Sequence, residues 1–187
     1  MNIVVFNLET NGAGVSPNTE SIIAISAVKM VAGCLTVTET FDTLILSLPP
    51  VPGWVDLKQL REAPSLKEAL LNFSRFVGDA LVIAERCPSE KMPFLHEASQ
   101  RRGLPMREMR VMDSGDLARK LWGDPCLNSL YSIEKKLRLS EPPARLSRLA
   151  IRAHKLGEAV QLMWRELSPD FTQCPVNTCT GYLPDLG

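Results

Sequence analysis

The stretch Ile3-Val4-Val5-Phe6-Asn7-Leu8-Glu9-Thr10-Asn11-Gly12 says most about the architecture. Its apolar, β-branched start reads as a buried strand, and the run leads directly into Asn7 and Glu9, spaced two apart. On a strand, residues two apart point to the same face. One sheet face therefore presents two oxygen-bearing side chains at the strand's end, a common way to begin a divalent-metal site. Asn7 departs from that chemistry, because a magnesium site wants charge and an amide brings none.

Beyond this run, Asn11-Gly12-Ala13-Gly14 and Ser16-Pro17-Asn18 are turn sequences. Ser21 to Met30, rich in isoleucine and valine, predicts a second strand. Gly33 turns the chain into a third, Thr36 to Leu46. The proline run at residues 48 to 53 breaks the pattern, since proline lacks the ladder donor; it reads as a loop rather than a linker. Ser65 with Glu68 three residues on is a capping box. Leu66, Ala69, Leu70, Phe73, Phe76 and Val77 form a helical face that Gly78 ends. Ala80 to Ala84 reads as a short strand, Met92 to Arg102 as a helix ended by Gly103, and Met109 to Met112 as a strand. Helices come next at Asp116 to Trp122, Ser132 to Leu137 and Leu146 to Leu167. Three strands, then helices alternating with short strands, predict an α/β domain with a mixed central sheet flanked by helices. That domain spans residues 1–167, and residues 168–187 read as an irregular C-terminal tail.

The chain has 187 residues, enough for one sizeable core, and 45% are hydrophobic. Basic and acidic residues balance at 21 each, so no global electrostatic footprint for nucleic acid exists and any such binding rests on a local patch. Cys34, Cys87, Cys126, Cys174 and Cys179 are scattered and odd in number, which fits a reduced, intracellular, cytoplasmic protein. Cys174 and Cys179 read as free thiols, with a tail disulfide or a metal clip left open. No apolar run approaches the ~20 residues that span a bilayer, and no charged-then-apolar leader precedes the first strand. Neither a membrane partner nor a signal peptide is expected.

The order and spacing of these motifs resemble the DEDDh 3′–5′ exonucleases, such as the epsilon proofreading subunit of bacterial DNA polymerase III. In that family the first motif reads Phe-Asp-Leu-Glu-Thr-Thr-Gly, against Phe-Asn-Leu-Glu-Thr-Asn-Gly here. The likeness continues through Ala63-Pro64-Ser65, Phe76-Val77-Gly78-Asp79-Ala80, Pro93-Phe94-Leu95, Met112-Asp113-Ser114 with Leu117-Ala118-Arg119, and Tyr131-Ser132-Ile133-Glu134. It covers about residues 3 to 167 and implies an RNase H-like exonuclease fold. It also implies a site in which four carboxylates hold two Mg²⁺ or Mn²⁺ ions and a histidine activates the attacking water.

Carried across one position at a time, that site is degenerate. The first carboxylate falls on Asn7. The second falls on Glu9 and is the one retained. The third, counted back from Pro93-Phe94-Leu95, falls on Lys91, with Glu90 beside it. The last motif falls on Ser147-Arg148-Leu149-Ala150-Ile151-Arg152-Ala153, so the base position is Ser147 and the fourth carboxylate position is Arg152. One acid thus faces two bases. At about 4 Å and an effective dielectric near 20, two unit charges interact by about 4 kcal/mol. A divalent ion roughly doubles this, and from Lys91 and Arg152 it is repulsion. The reading predicts that Glu9 pairs with Lys91 or Arg152. No cofactor is expected, with Glu9 the metal ligand if any ion binds.

A gapped register of the last helix offers His154 and Glu158 as base and fourth carboxylate. The ungapped register also matches Arg148, Ala153 and Gly157-Glu158, and a deletion inside a helix rotates every later residue by ~100°. Glu90 could stand in for the third carboxylate; as a loop glutamate it would simply meet Lys91. Glu85 and Arg86 take the place of the family's Ala-His-Asn. Trp54 is the exposed aromatic best placed to stack on a base, whereas Trp122 and Trp164 read as core. Val55 to Glu62 is shorter than the corresponding family segment. The resulting expectation is an exonuclease-fold pseudoenzyme that binds single-stranded nucleic acid or a protein. Two alternatives stay open: a divergent 3′–5′ exonuclease using Mg²⁺ or Mn²⁺, and a protein-interaction module of replication or repair machinery.

Overall fold

The opening run forms β1 (Asn2–Thr10), with Ile3 through Phe6 fully buried, near the middle of a six-stranded sheet. This is a computed structural model, and it describes residues 2–11, 22–31, 37–47, 51–142, 146–168, 174 and 176–186. The turns expected within residues 12–20 and 32–36, and the first prolines of the run at residues 48–50, lie outside the described residues.

β1 pairs antiparallel with β2 (Ile22–Val31), which pairs antiparallel with β3 (Val37–Leu44). On its other side β1 runs parallel to β4 (Leu81–Ala84), and β4 parallel to β5 (Met106–Asp113). A sixth strand, β6 (Cys179–Pro184), pairs antiparallel with β5. The strand order is β3-β2-β1-β4-β5-β6. The expected mixed α/β sheet, an RNase H-like arrangement, is thus present. Its far edge is built from residues read as irregular tail in the sequence. Cys179-Thr180-Gly181 carries little apolar signal of its own. The strand forms because β5 offers a ladder to pair with, and Leu183 is then fully buried.

Helices cover both faces. On one side lie α2 (Leu66–Val77) and α3 (Met92–Gln100). Phe73, Leu70 and Leu95 there pack with Val4, Phe6, Val82 and Val111. The Ser65 capping box is formed as expected, and Gly78 ends α2 at φ +54. On the other side lie α4 (Ser114–Trp122), α5 (Leu130–Glu134) and the 20-residue α6 (Arg148–Leu167). Ala153, Leu156, Val160 and Trp164 of α6 pack with Ile3, Val5, Val28 and Ile83. Trp164 is fully buried and Trp122 packs at the margin, which places both in the core as expected. The short segment after the proline run, unassigned in the sequence reading, folds as α1 (Leu57–Glu62), capped by Asp56 and packed through Leu60 against Ile23 and Val55. Cys87, Cys126, Cys174 and Cys179 carry free thiols. Among the described residues no helix is long and apolar enough to cross a membrane.

Candidate functional site

The odd-numbered residues of β1 face α6. Ile3 and Val5 join the core beneath that helix, and Asn7 and Glu9 continue the same row past it. A shift in register against β2 falls between Glu9 and Thr10, where Ala24 and Ile22 are the successive partners. Such bulges bend a strand and re-aim its side chains. Asn7 is 5% exposed, and its Nδ2 donates to Glu9 Oε1 at 3.0 Å. The amide thus spends a donor on the carboxylate, where an aspartate would have added a second negative charge.

The fourth-carboxylate position meets this pair. Arg152, on the first turns of α6, brings one guanidinium nitrogen within 3.8 Å of Glu9 Oε1. A second nitrogen lies 3.8 Å from Glu85 Oε2. Glu85 directly follows β4, the parallel neighbour of β1, so two carboxylates at the carboxyl ends of adjacent strands share one guanidinium. Sequence reasoning did not place Glu85 in the site. The available signal was a glutamate at the end of a fully buried strand.

Beyond Glu85 the chain is unusual. Arg86 adopts a left-handed conformation at φ +50, the one non-glycine residue with positive φ among those described. A single π-helical turn comes next, Cys87–Lys91. Lys91 N bonds to Arg86 O at 3.3 Å, closing a loop one residue wider than an α-turn. This turn brings Lys91 to the site: its Nζ donates to the Leu8 carbonyl at 3.3 Å and lies 3.6 Å from Glu90. Glu90 in turn pairs with Arg86 at 2.9 Å. The expectation that Glu9 pairs with Lys91 or Arg152 therefore resolves to Arg152, with Lys91 held by the β1 backbone and Glu90.

Ser147 stands apart from Glu9's immediate partners. It is the N-cap of α6, accepting from Ala150 N at 3.1 Å, and its hydroxyl donates to Asp42 of β3. Burial pushes the Asp42 carboxyl above its ordinary range, opposed by the Ser147 bond. The two border a cavity of about 610 Å³ whose walls include Trp54, Gln59 and Arg148. The Arg148 guanidinium sits 5.8 Å from the centre of the Trp54 ring, and Trp54 also packs beside Ile23 and Val55. The alternative pair lies elsewhere. Glu158 accepts from Ser140 N and Oγ at 2.9 and 2.6 Å. His154 lines a separate hollow with Val37, Ser140 and Glu158, and burial lowers its pKa. Glu158 thus bonds to the segment before α6, and His154 Nε2 is buried with no hydrogen-bond partner among the described residues.

These donors do not suit two divalent cations. Such ions ask for several anionic oxygens, and Glu9 instead meets the Asn7 amide and the Arg152 guanidinium, with the Lys91 ammonium on the neighbouring Leu8 carbonyl. Among the described residues, no group of three or more histidine, cysteine, aspartate or glutamate side chains is placed to hold a metal ion.

No protein-family model matches the chain. In sequence it is similar to PolC-type DNA polymerase III. It is 29% identical to the protein of Latilactobacillus sakei over 73% of this chain and 10% of that polymerase. It is 30% identical to that of Halalkalibacterium halodurans over 64% of this chain and 8% of the polymerase. The chain thus spans a tenth or less of the length of these relatives. In structure it is similar to the nuclease domain of 3′hExo, a DEDDh family member bound to rAMP. The TM-score is 0.72 at 12% identity, covering 95% of this chain and 96% of that one. It is also similar to exonuclease X in complex with 5′ overhanging duplex DNA, with a TM-score of 0.60 at 17% identity over 89% and 93% of the two chains. The fold is that of the RNase H-like exonucleases, shared with a DEDDh family member among the solved structures.

Proposed function

We propose that this chain is an exonuclease-fold domain that has given up metal-dependent 3′–5′ hydrolysis and serves as a nucleic-acid- or protein-binding module. The observation that carries this reading is Arg152, whose guanidinium lies 3.8 Å from the one retained family carboxylate, Glu9. A permanent cation there opposes a divalent ion, and Lys91 adds a second positive charge beside β1. The base position supports the same reading. Ser147 has a hydroxyl committed to Asp42 and cannot replace an imidazole that titrates near neutrality. The polymerase relatives favour a replication or repair setting, and the neighbour solved with 5′ overhanging duplex DNA favours nucleic acid as the first partner to test.

A second reading, a divergent exonuclease using Mg²⁺ or Mn²⁺, draws on the retention of Glu9 beside Glu85 at the strand ends. Incubation of the full chain with labelled single-stranded DNA and RNA in Mn²⁺ separates the two. The expected outcome is no shortening of either strand above the Glu9→Ala background. Progressive 3′ shortening that Glu9→Ala abolishes would sink the inactive reading and establish the second.

A further inference from the structure

The charge reversals in the cleft do more than remove ligands. We propose that Arg152 is the resident cation of this site, a guanidinium built into α6 that stands electrostatically where divalent ions would and keeps them out. The assignment rests on the reading that the cleft works without metal, and extends it by naming what balances its charge.

Glu85 supplies the reason a cation is needed. It is 8% exposed, and burying a carboxylate is costly unless an opposite charge or hydrogen bonds compensate it. Arg86 approaches it at 3.5 Å, but that side chain also holds Glu90 at the shorter distance of 2.9 Å. Arg152 reaches Glu85 with one nitrogen and Glu9 with another, so a single planar group bridges the ends of β1 and β4. A guanidinium suits this role because it is always charged and presents several donors in a fixed fork.

The delivery of that group is rigid. The turns of α6 around it bury Ala150 and Ala153, and Ser26 of β2 donates to the Leu149 carbonyl at 2.9 Å. The helix cannot drift from the sheet without breaking these contacts. An ion entering between Glu9 and Glu85 therefore meets a guanidinium carried on an anchored helix, its side chain 48% exposed. Arg152 is a positioning residue here, coupling two strands by charge.

The test uses the full chain, with thermal melting and Mn²⁺ binding read from the electron paramagnetic resonance signal of the free ion. The parent is expected to bind no Mn²⁺ and to melt at one temperature with chelator or with millimolar Mn²⁺. Arg152→Ala should lower the midpoint by about 2–4 °C at low salt, the shift that a modest ion-pair network gives in a chain of this size, and by less at high salt. In a Glu9→Gln/Glu85→Gln background the same change should have no effect. Arg152→Asp, which places an acid beside Glu9 and Glu85, should gain saturable Mn²⁺ binding that Glu9→Gln removes.

Saturable Mn²⁺ binding by the parent, or an Arg152→Ala effect undiminished in the double-Gln background, would overturn the assignment. So would an Arg152→Asp chain that melts cooperatively and binds no Mn²⁺. If Arg152→Asp fails to fold, the double-Gln comparison decides alone. These outcomes are separable from the nuclease assay. A parent that cuts nothing while its Arg152 and carboxylate effects simply add leaves the inactive reading standing and removes the resident cation.

Discussion

Asp42 and Ser147 show how one side-chain contact ties a helix start to the sheet. Ser147, where the sequence resemblance would put the base, caps α6 with its oxygen and donates its proton to Asp42. Burial raises the Asp42 carboxyl above its ordinary value, so between the two values the folded chain holds a proton that the unfolded chain has released. That contribution is full below the ordinary carboxylate range and is lost as pH rises through the folded value. Asp42→Asn should therefore lose less stability than the parent as pH rises from about 4 to 7, measured by urea denaturation across that range. Asn7, Lys91, Ser147 and Arg152 were singled out in the sequence from motif order. Their partners were not. Glu85 and Asp42 are ordinary acids in sequence, and only proximity in space makes one the second carboxylate on Arg152 and the other the acceptor for Ser147.

Among the elements, α6 and β6 carry the weight. An ideal Cβ on Gly157 would lie 2.7 Å from Val28 Cγ2, so α6 sits on β2 at a distance only glycine permits. Gly157→Ala gains about 1 kcal/mol of helix propensity but must push α6 off the sheet, and overpacking of this kind costs about 1–3 kcal/mol. The expected result is a lower urea midpoint, with weaker Arg152–Glu9 coupling in the double-mutant comparison. β6 is held by its ladder to β5, by Leu183, and by the Ser74 hydroxyl, which donates to the Pro184 carbonyl. Truncation before Cys179 uncovers Val111 and Met109 and leaves β5 as an unpaired edge. A drop in melting midpoint and concentration-dependent aggregation are expected, checked by melting and light scattering. The helices were legible because capping and 3.6-residue periodicity are local. The π-helical turn and β6 were not, because the first depends on a left-handed Arg86 and the second on a partner strand far away in sequence.

For the molecule as a whole, charge balance limits what it can grip. With basic and acidic residues equal at 21 each, and with Arg101, Arg107, Arg119 and Arg152 each beside an acid, the chain offers phosphates no net positive charge. Each phosphate neutralised on a single strand adds about −0.7 to the slope of log affinity against log salt. Any single-stranded DNA or RNA binding by this chain is therefore expected to show a shallow slope, about −2 or smaller in size, by fluorescence anisotropy from low to moderate salt. A steep slope would mean a local basic patch despite the overall charge balance.

Residue order alone establishes the α/β class, the central strand and its two polar residues, and the capped helices. All of these rest on alternation, periodicity and residue identity, written within a few positions of one another. It takes the packed molecule to show that Arg152 rather than Lys91 meets Glu9, that Glu85 completes the cluster, and that the last residues close the sheet. The physical reason is that ion pairing and strand pairing are set by distance in space. β1, the end of β4 and the start of α6 come together only once the sheet has formed and α6 has packed across it.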